Sequence, residues 1–177
     1  MAVVGGLLAI SGGLVGVAVA TDTAPQCSTV NYTQNESGWN EVENVSQLQC
    51  IGANGLSEDY VLIGDIDASG TNQWNGGAGF DPIGEYGSTH SADVEFTGRF
   101  DGDGHVISGL YIDRITENYV GLFGVVEGSD AVIEDVGLEN ADVRGSLYVG
   151  GLVGVNEGAT VRKSYATGSL AGADSNL

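Results

Sequence analysis

The chain has 177 residues, the size of one domain, and carries 24 Asp and Glu against 5 Lys and Arg, a formal net charge of −19. A surface this negative repels nucleic acid and anionic lipid headgroups, so the composition excludes both as partners. Thirty glycines, two prolines and 42% hydrophobic residues are typical of a folded chain with many tight turns. The acidity has two compatible interpretations, a solvated coat as in halophilic proteins and carboxylates that bind divalent cations.

Residues 1–20 are apolar and uncharged, and they end in Ala18-Val19-Ala20, the small-x-small pattern of a signal-peptidase site. A basic start is missing, so three interpretations stay open: a cleaved signal peptide, a retained N-terminal anchor, or a buried structural segment. The first two predict a secreted or cell-surface protein. Such a protein would touch a membrane only through residues 1–20, if these are not cleaved.

Residues 21–43 are polar and lack periodicity, which predicts an irregular lead-in. The only cysteines are Cys27 and Cys50, and in an exported protein we expect them to form a disulfide; two free buried thiols are the alternative. Three Asn-x-Ser/Thr sequons crowd the same region and indicate an exposed, glycosylated segment, with acceptors at Asn31, Asn35 and Asn44.

A short amphipathic helix is predicted over 44–54, where apolar residues recur three apart behind Asn44, a candidate N-cap. The apolar run 60–67 predicts a strand, and the glycine-rich stretch 68–95 predicts a long loop. After this loop, short apolar segments alternate with Gly, Asp and Asn turns. We predict strands at 96–100, 105–112, 119–126, 131–138, 148–155 and 159–167.

The stretch 148–168 repeats the stretch 119–138. Tyr-Val-Gly occurs at the start of both, and Leu122, Gly124, Glu127 and Gly128 recur as Leu152, Gly154, Glu157 and Gly158. Ile133 recurs as Val161, and a more distant copy over 98–110 puts Ile107 at the same place. Such repetition indicates stacked units that bury a shared core, with Ile107, Ile133 and Val161 one above another. The predicted fold is therefore all-β: a right-handed parallel β-solenoid over 44–177, whose first layer is shielded by the short helix.

The segment 148–168, YVGGLVGVNEGATVRKSYATG, resembles the GLUG motif of filamentous-haemagglutinin-like adhesins and other large surface proteins. NVSQLQCIG, YVLIGDIDASG, FDPIGEYG and FTGRFDGDGHVISGLYI are similar to the segments that precede this motif, so the resemblance covers about 44–172. The first copy departs from the motif because it reads YVGLFG in place of the doubled glycine. The acidity of the chain indicates a protein of a halophile.

The resemblance implies a non-enzymatic, adhesin-like module of an exported surface protein, with a role in attachment or in cell-surface structure. The implied partner is a cell-surface glycan or protein, or further copies of the repeat array. The alternative is a β-solenoid carbohydrate-active enzyme or a carbohydrate-binding module. His90 and His105 stand alone in the sequence, and we interpret the basic pair Arg162-Lys163 as local charge balance, so we favour the non-enzymatic function.

Two sets of carboxylates are candidates for chemistry. Asp101 and Asp103 alternate with glycines, which is compatible with a calcium loop and equally with an Asp-Gly turn between strands. Asp65 and Asp67 are two apart on a predicted strand and face the same way, as a solvated face or as a site. No cofactor is predicted apart from that calcium ion.

Overall fold

The computed structural model describes residues 23–85 and 95–173; the apolar segment 1–20 and His90 lie outside them. Within these ranges the chain forms thirteen short β-strands and two short α-helices. The helices are α1 (Val45–Gln49) and α2 (Ile51–Asn54), and 3-10 turns occur at Cys27–Thr29 and Ser69–Gly77. The strands are β1 (Thr33–Gln34), β2 (Asn40–Val42), β3 (Tyr60–Leu62), β4 (Ile66–Asp67), β5 (Arg99–Asp101), β6 (Val106–Ser108), β7 (Tyr111–Asp113), β8 (Phe123–Glu127), β9 (Val132–Glu134), β10 (Gly137–Arg144), β11 (Val153–Glu157), β12 (Thr160–Arg162) and β13 (Tyr165–Ala171).

The predicted helix is present over α1 and α2. Asn44 caps it, because its side-chain oxygen accepts a hydrogen bond from the Gln47 N–H at 3.0 Å. Leu48 and Ile51, spaced as the sequence pattern requires, are both buried in the core. No helix in the described residues is long and apolar enough to cross a bilayer.

The predicted single parallel β-solenoid is wrong. The described strands divide among three sheets, ordered β1-β2-β3-β5-β9-β12, β13-β10-β6-β4 with β7 beside β10, and β11-β8. The first sheet is mixed, because β1 runs antiparallel to β2 while its other pairs are parallel. The physical cause lies in the lead-in, which doubles back in a hairpin at Gly38, where φ is +82°. Two helices and the 3-10 segment Ser69–Gly77 further interrupt any uniform repeat.

In the last strands, however, residues that are equivalent in the sequence repeat pair with each other. Phe123 pairs with Val153 and Glu127 with Glu157, at the predicted separation of thirty residues. Ile133 pairs with Val161 in the adjacent sheet. We call residues 148–171, which contain β11, β12 and β13, the end layer. The predicted stack of Ile107 on Ile133 is wrong. Ile107 pairs with Leu138 and Ile66, and the residue that pairs with Ile133 on this side is Phe100.

Corners divide several predicted strands in two. Asp103, Asp135 and Lys163 follow β5, β9 and β12 with positive φ values of 48°, 50° and 50°. A left-handed residue redirects the chain, so the apolar runs 131–138 and 159–167 each cross from one sheet to another. Gly154 serves a different purpose, since a Cβ there would lie 2.8 Å from Gly124 O in the strand below.

The core is continuous and centred on aromatic rings. Phe123 contacts Phe96 and Phe100, with ring centroids 4.9 Å and 5.3 Å apart, and Tyr60 lies 6.5 Å from Phe96. All four side chains are buried. Phe80 and Ile83 of the predicted loop are also buried, and Ile83 bridges to Phe123, so this loop contributes to the core. Such ring pairs add about 0.5–1.5 kcal/mol each beyond the burial of their area.

Candidate functional site

The acidic segment after β5 is a backbone turn. Asp101 Oδ1 accepts a hydrogen bond from the Asp103 N–H at 2.8 Å, and Asp103 has a positive φ. In residues 23–85 and 95–173, no three His, Cys, Asp or Glu side chains gather closely enough to hold a metal ion. The calcium site at Asp101 and Asp103 therefore stays a prediction.

Asp65 and His105, which are far apart in sequence, meet on the five-stranded sheet. Asp65 Oδ1 accepts a hydrogen bond from the Val106 N–H at 2.9 Å and lies 3.2 Å from His105 Nδ1. The Val106 N–H, followed by His105, holds the pKa of Asp65 below its ordinary value. On the same sheet the Tyr165 hydroxyl donates to Glu139 Oε1 at 2.7 Å, and this bond raises the pKa of Tyr165. These contacts, whose side chains are exposed or half-buried, hold neighbouring segments of the sheet together.

Asp67 does not join this group. Hydrogen bonds from Ser69, first from its hydroxyl and then from its N–H, lower the pKa of Asp67; the N–H donates to Asp67 Oδ1 at 2.9 Å. The two carboxylates that the sequence places on one face thus serve two separate backbone contacts.

All five Lys and Arg side chains of the chain form ion pairs with carboxylates. One group of these pairs, centred on Glu134, joins three strands of the six-stranded sheet. Glu134 on β9 lies between Arg99 on β5, at 3.4 Å, and Arg162 on β12, at 2.6 Å. Lys163 Nζ lies 3.2 Å from Asp135 Oδ2, so the basic pair 162–163 does balance local charge, as predicted. Sequence analysis missed the role of Glu134, although its separation from Arg162 equals that of Ile133 from Val161.

The remaining two basic side chains, Arg144 and Arg114, also form ion pairs. Arg144 on β10 lies 3.6 Å from Asp113 on β7 and 3.0 Å from Asp142. Arg114 contacts Asp81 and Glu117, both at 3.0 Å, and its Nε donates to Phe80 O. An open hollow of about 590 Å³ adjoins Arg114. Because its guanidinium already holds two carboxylates, this hollow offers no uncommitted cation to a sugar acid.

The end layer exposes large side chains whose counterparts one strand below are buried or, for Tyr119, half-buried. Val161 is 40% exposed and pairs with Ile133, which is 0% exposed. Leu170 is 55% exposed and pairs with Val143, also 0% exposed. Tyr148 is 58% exposed, and its ring stacks on that of Tyr119 with centroids 5.0 Å apart and planes 2° apart.

A disulfide links the lead-in to the helix. The bond joins Cys27 to Cys50, the pair expected from sequence, with Cα atoms 5.2 Å apart. Close to it, the Tyr32 hydroxyl donates to Gln47 O at 2.6 Å, and burial raises the pKa of Tyr32 to about 12. The lead-in is more regular than predicted, since β1 and β2 extend the six-stranded sheet.

The three sequon asparagines have different surroundings. Asn31 is exposed and its Nδ2 donates to Thr29 O. Asn44 is exposed, and it both caps α1 and donates from Nδ2 to Gln47 Oε1. Asn35 lies in the β1–β2 hairpin, where its Oδ1 accepts from the Ser37 and Trp39 N–H groups. Glycosylation at the three positions stays a prediction.

A comparison with protein families identifies the end layer. The family model described as the GLUG motif matches residues 145–171. The chain contains a GLUG motif. The matched residues contain β11, β12 and β13, so the GLUG motif here supplies one edge strand to each of the three sheets.

Two curated relatives share more of the chain than the GLUG motif. Halomucin from Haloquadratum walsbyi is 41% identical over 151 residues, which cover 81% of this chain and 2% of halomucin. A protein from Evansella cellulosilytica, named as a candidate Gly-rich membrane protein, is 34% identical over 132 residues, 72% of this chain and 14% of that protein. The chain thus spans a small part of the length of these relatives.

Among solved structures, a candidate immunoglobulin A1 protease from Bacteroides ovatus is similar in fold. Its TM-score is 0.57 at 21% identity, over 77% of this chain and 40% of that one. At this identity the likeness concerns the fold alone.

Proposed function

We propose that this GLUG-motif chain is a non-enzymatic module of an exported surface protein, with a role in surface structure or adhesin-like attachment. Its extracellular or surface location is supported by the names of the two relatives, of which one is halomucin and the other is a candidate Gly-rich membrane protein. Both are much longer than the matched segment, which suits a module within a large protein.

The ion pairs carry this proposal. Every positive side chain of the protein is engaged with a carboxylate, and Glu134 alone joins three strands. A binding site for acidic polysaccharide needs cations that are available to the ligand. A scaffold, in contrast, uses its charges to hold strands together and presents the remaining carboxylates to water. The charge arrangement therefore favours a structural module.

The outer carboxylates also suit a surface in concentrated salt. Glu127 and Glu157 pair directly across β8 and β11. Like charges directly opposite each other repel, and salt screens that repulsion. An acidic coat of this kind is consistent with the similarity to a protein of Haloquadratum walsbyi.

Localisation and turnover assays test the proposal. The chain is expressed with residues 1–20 and an epitope tag, and intact cells are compared with permeabilised cells by antibody labelling. We expect labelling of intact cells and its loss when residues 1–20 are deleted. The purified protein should release no reducing ends from neutral or uronic-acid polysaccharides. Labelling confined to permeabilised cells would contradict export, and measurable sugar release would contradict a non-enzymatic module.

A further inference from the structure

Tyr119 and Tyr148, which are equivalent in the sequence repeat, stack on each other. Their ring centroids are 5.0 Å apart and their planes differ by 2°. Backbone hydrogen bonds join the two segments, because the Tyr119 N–H donates to Leu147 O at 2.9 Å and the Val120 N–H donates to Tyr148 O at 3.1 Å. The rings are therefore kept in contact by the pairing of the two segments as well as by their own attraction.

The backbone directs both side chains alike. The φ angle is 64° at Tyr119 and 57° at Tyr148, a left-handed conformation that few residues with side chains adopt. Val120 and Val149, which follow them, form a parallel bridge, and parallel segments lie about 4.8 Å apart. Because the two side chains leave neighbouring segments with the same backbone conformation, carbon atoms of one phenol ring lie against those of the other.

This corner of the molecule is open to solvent. Tyr148 is 58% exposed and Leu147 beside it is 51% exposed, while Tyr119 is half-buried. A soluble oxidant therefore reaches the ring of Tyr148 directly. A radical formed there is in contact with the ring of Tyr119, which is the second partner that coupling requires.

A second tyrosine pair lacks these properties. Tyr32 and Tyr60 have ring centroids 5.5 Å apart, but their rings meet edge to face at 69° and Tyr60 is buried. Burial also raises the pKa of the Tyr60 hydroxyl and raises the pKa of Tyr32 to about 12. One-electron oxidation of a phenol releases its proton, which a buried hydroxyl with a raised pKa gives up reluctantly. This pair is thus an internal control for proximity alone.

We propose that Tyr119 and Tyr148 form an oxidative cross-linking site, at which a one-electron oxidant of the haem-peroxidase class, with hydrogen peroxide, produces dityrosine. Each phenol loses one electron and one proton, which gives two tyrosyl radicals. The radicals couple through the carbons ortho to oxygen and form one C–C bond. The hydrogen on each coupled carbon then moves to oxygen and restores the aromatic ring. The chain loses two hydrogen atoms in total, and one hydrogen peroxide is reduced to two waters.

The bond joins the GLUG motif to the repeat copy that precedes it. Tyr148 lies within the matched residues 145–171, and Tyr119 opens the copy over 119–138. A covalent link between them reduces the number of conformations open to the unfolded chain, as a disulfide does, so it stabilises the end layer. The proposal goes beyond the role of a surface module, because it concerns a bond within the chain and does not depend on export.

Peroxidase treatment of the purified full chain, at low protein concentration, tests the proposal. Trypsin cuts after Arg114, Arg144 and Arg162, so the two tyrosines fall on separate peptides, 115–144 and 145–162. We expect these peptides to be recovered as one species that is two hydrogen atoms lighter than their sum and has the fluorescence of dityrosine. Its yield should exceed that of any other tyrosine link, including Tyr32 to Tyr60, by at least about tenfold.

Two Phe variants separate this site from general oxidation. Tyr148→Phe keeps an aromatic ring for the stack but removes the phenol, so the linked species should disappear. Tyr165→Phe is the matched control, because Tyr165 is also exposed, at 47%, and has no part in the stack. This control should form the link as wild type does. In linked monomer the thermal unfolding midpoint should rise by roughly 5 °C or more.

Several results would overturn the proposal. One is that the peptides 115–144 and 145–162 stay unlinked, and another is that covalent dimers form in preference to linked monomer. The same linked species from Tyr148→Phe, or a link from Tyr119 to a tyrosine other than Tyr148, would also overturn it. A linked monomer with an unchanged unfolding midpoint would overturn the stabilising role of the bond.

Discussion

At the scale of single residues, Glu134 has the largest structural role of the acidic side chains described above. It is 7% exposed, and its two oxygens accept bonds from guanidinium groups on the strands on either side. A nearly buried carboxylate is stable only when such partners replace its water. The repeat register could have predicted the contact with Arg162. The predicted copy over 98–110 places Ile107 in the position that Phe100 occupies beside Ile133, so it puts Arg99 out of register with β9. Half of this group was therefore hidden from sequence analysis.

Glu134→Gln should lower the free energy of unfolding by about 1–3 kcal/mol, since two guanidinium groups lose their shared carboxylate and both are partly exposed. Glu157→Gln is the matched control, because Glu157 is exposed and faces Glu127. The control should change stability by less than about 0.5 kcal/mol. Urea denaturation curves measure both, and equal effects of the two variants would contradict a central role for Glu134.

Asp65 gives a pH-dependent prediction. Its pKa is lowered from 3.8, so the folded state favours the carboxylate. The stability that Asp65 contributes should be fully present above pH 3.8 and lost as the pH falls below that value towards its folded pKa. Wild type should therefore exceed Asp65→Asn in unfolding free energy at neutral pH, and the difference should shrink in acid.

Unfolding free energies of wild type and Asp65→Asn at several pH values between neutral and acid measure that difference. Asp130→Asn, at an exposed turn, serves as control and should match wild type throughout. A difference for Asp65→Asn that persists unchanged into strong acid would show that the carboxylate charge is not what the Val106 N–H and His105 stabilise.

At the scale of elements, helix positions were predictable and strand ends were not. Asn44 and the spacing of Leu48 and Ile51 locate the helix, because cap and apolar face are both local signals. The corners at Asp135 and Lys163 are invisible to a hydrophobicity pattern, since apolar residues continue on both sides of each corner. The hairpin in 33–42 was missed because its strands are polar and pair at a sheet end.

The disulfide should hold the lead-in to the helix. Cys27→Ser with Cys50→Ser opens a loop spanning 23 residues, which should cost about 3 kcal/mol in the chain-entropy account. Hydrogen exchange should rise chiefly in β1 and β2. Wild type treated with reductant should behave like the double variant. Unchanged stability after confirmed reduction would show that the Tyr32–Gln47 contact and β1–β2 pairing suffice to hold this segment.

At the scale of the whole molecule, the charge was readable from composition, but the arrangement of sheets was not. The net charge of −19 includes acids placed opposite acids, as at Glu127 and Glu157. The prediction of one parallel β-solenoid came from the repeat in 119–168, which describes the last strands well. It was extended to the whole of 44–177, where two helices, the 3-10 segment Ser69–Gly77 and an antiparallel bridge between Gly79 and Ile112 interrupt the repeat.

Stability should rise with salt. The screening length falls from about 30 Å at 0.01 M to about 3 Å at 1 M salt, so repulsion between facing carboxylates fades. Thermal melts should shift upward by more than a few degrees across that range. Replacing Glu127 and Glu157 together by Gln should reduce the shift. A thermal unfolding midpoint that moves by less than a few degrees in wild type would show that repulsion between carboxylates does not destabilise the fold.

The central claim, that the sequence repeat is the pairing register of the strands, can be tested by cross-linking. Glu127 and Glu157 are register partners on β8 and β11, and adjacent strands lie about 4.8 Å apart, within reach of a disulfide. On mild oxidation Glu127→Cys with Glu157→Cys should form an intramolecular bond in monomeric protein. Glu127→Cys with Val155→Cys, two residues out of register, should not. Cross-linking of the second pair in preference to the first would contradict the account.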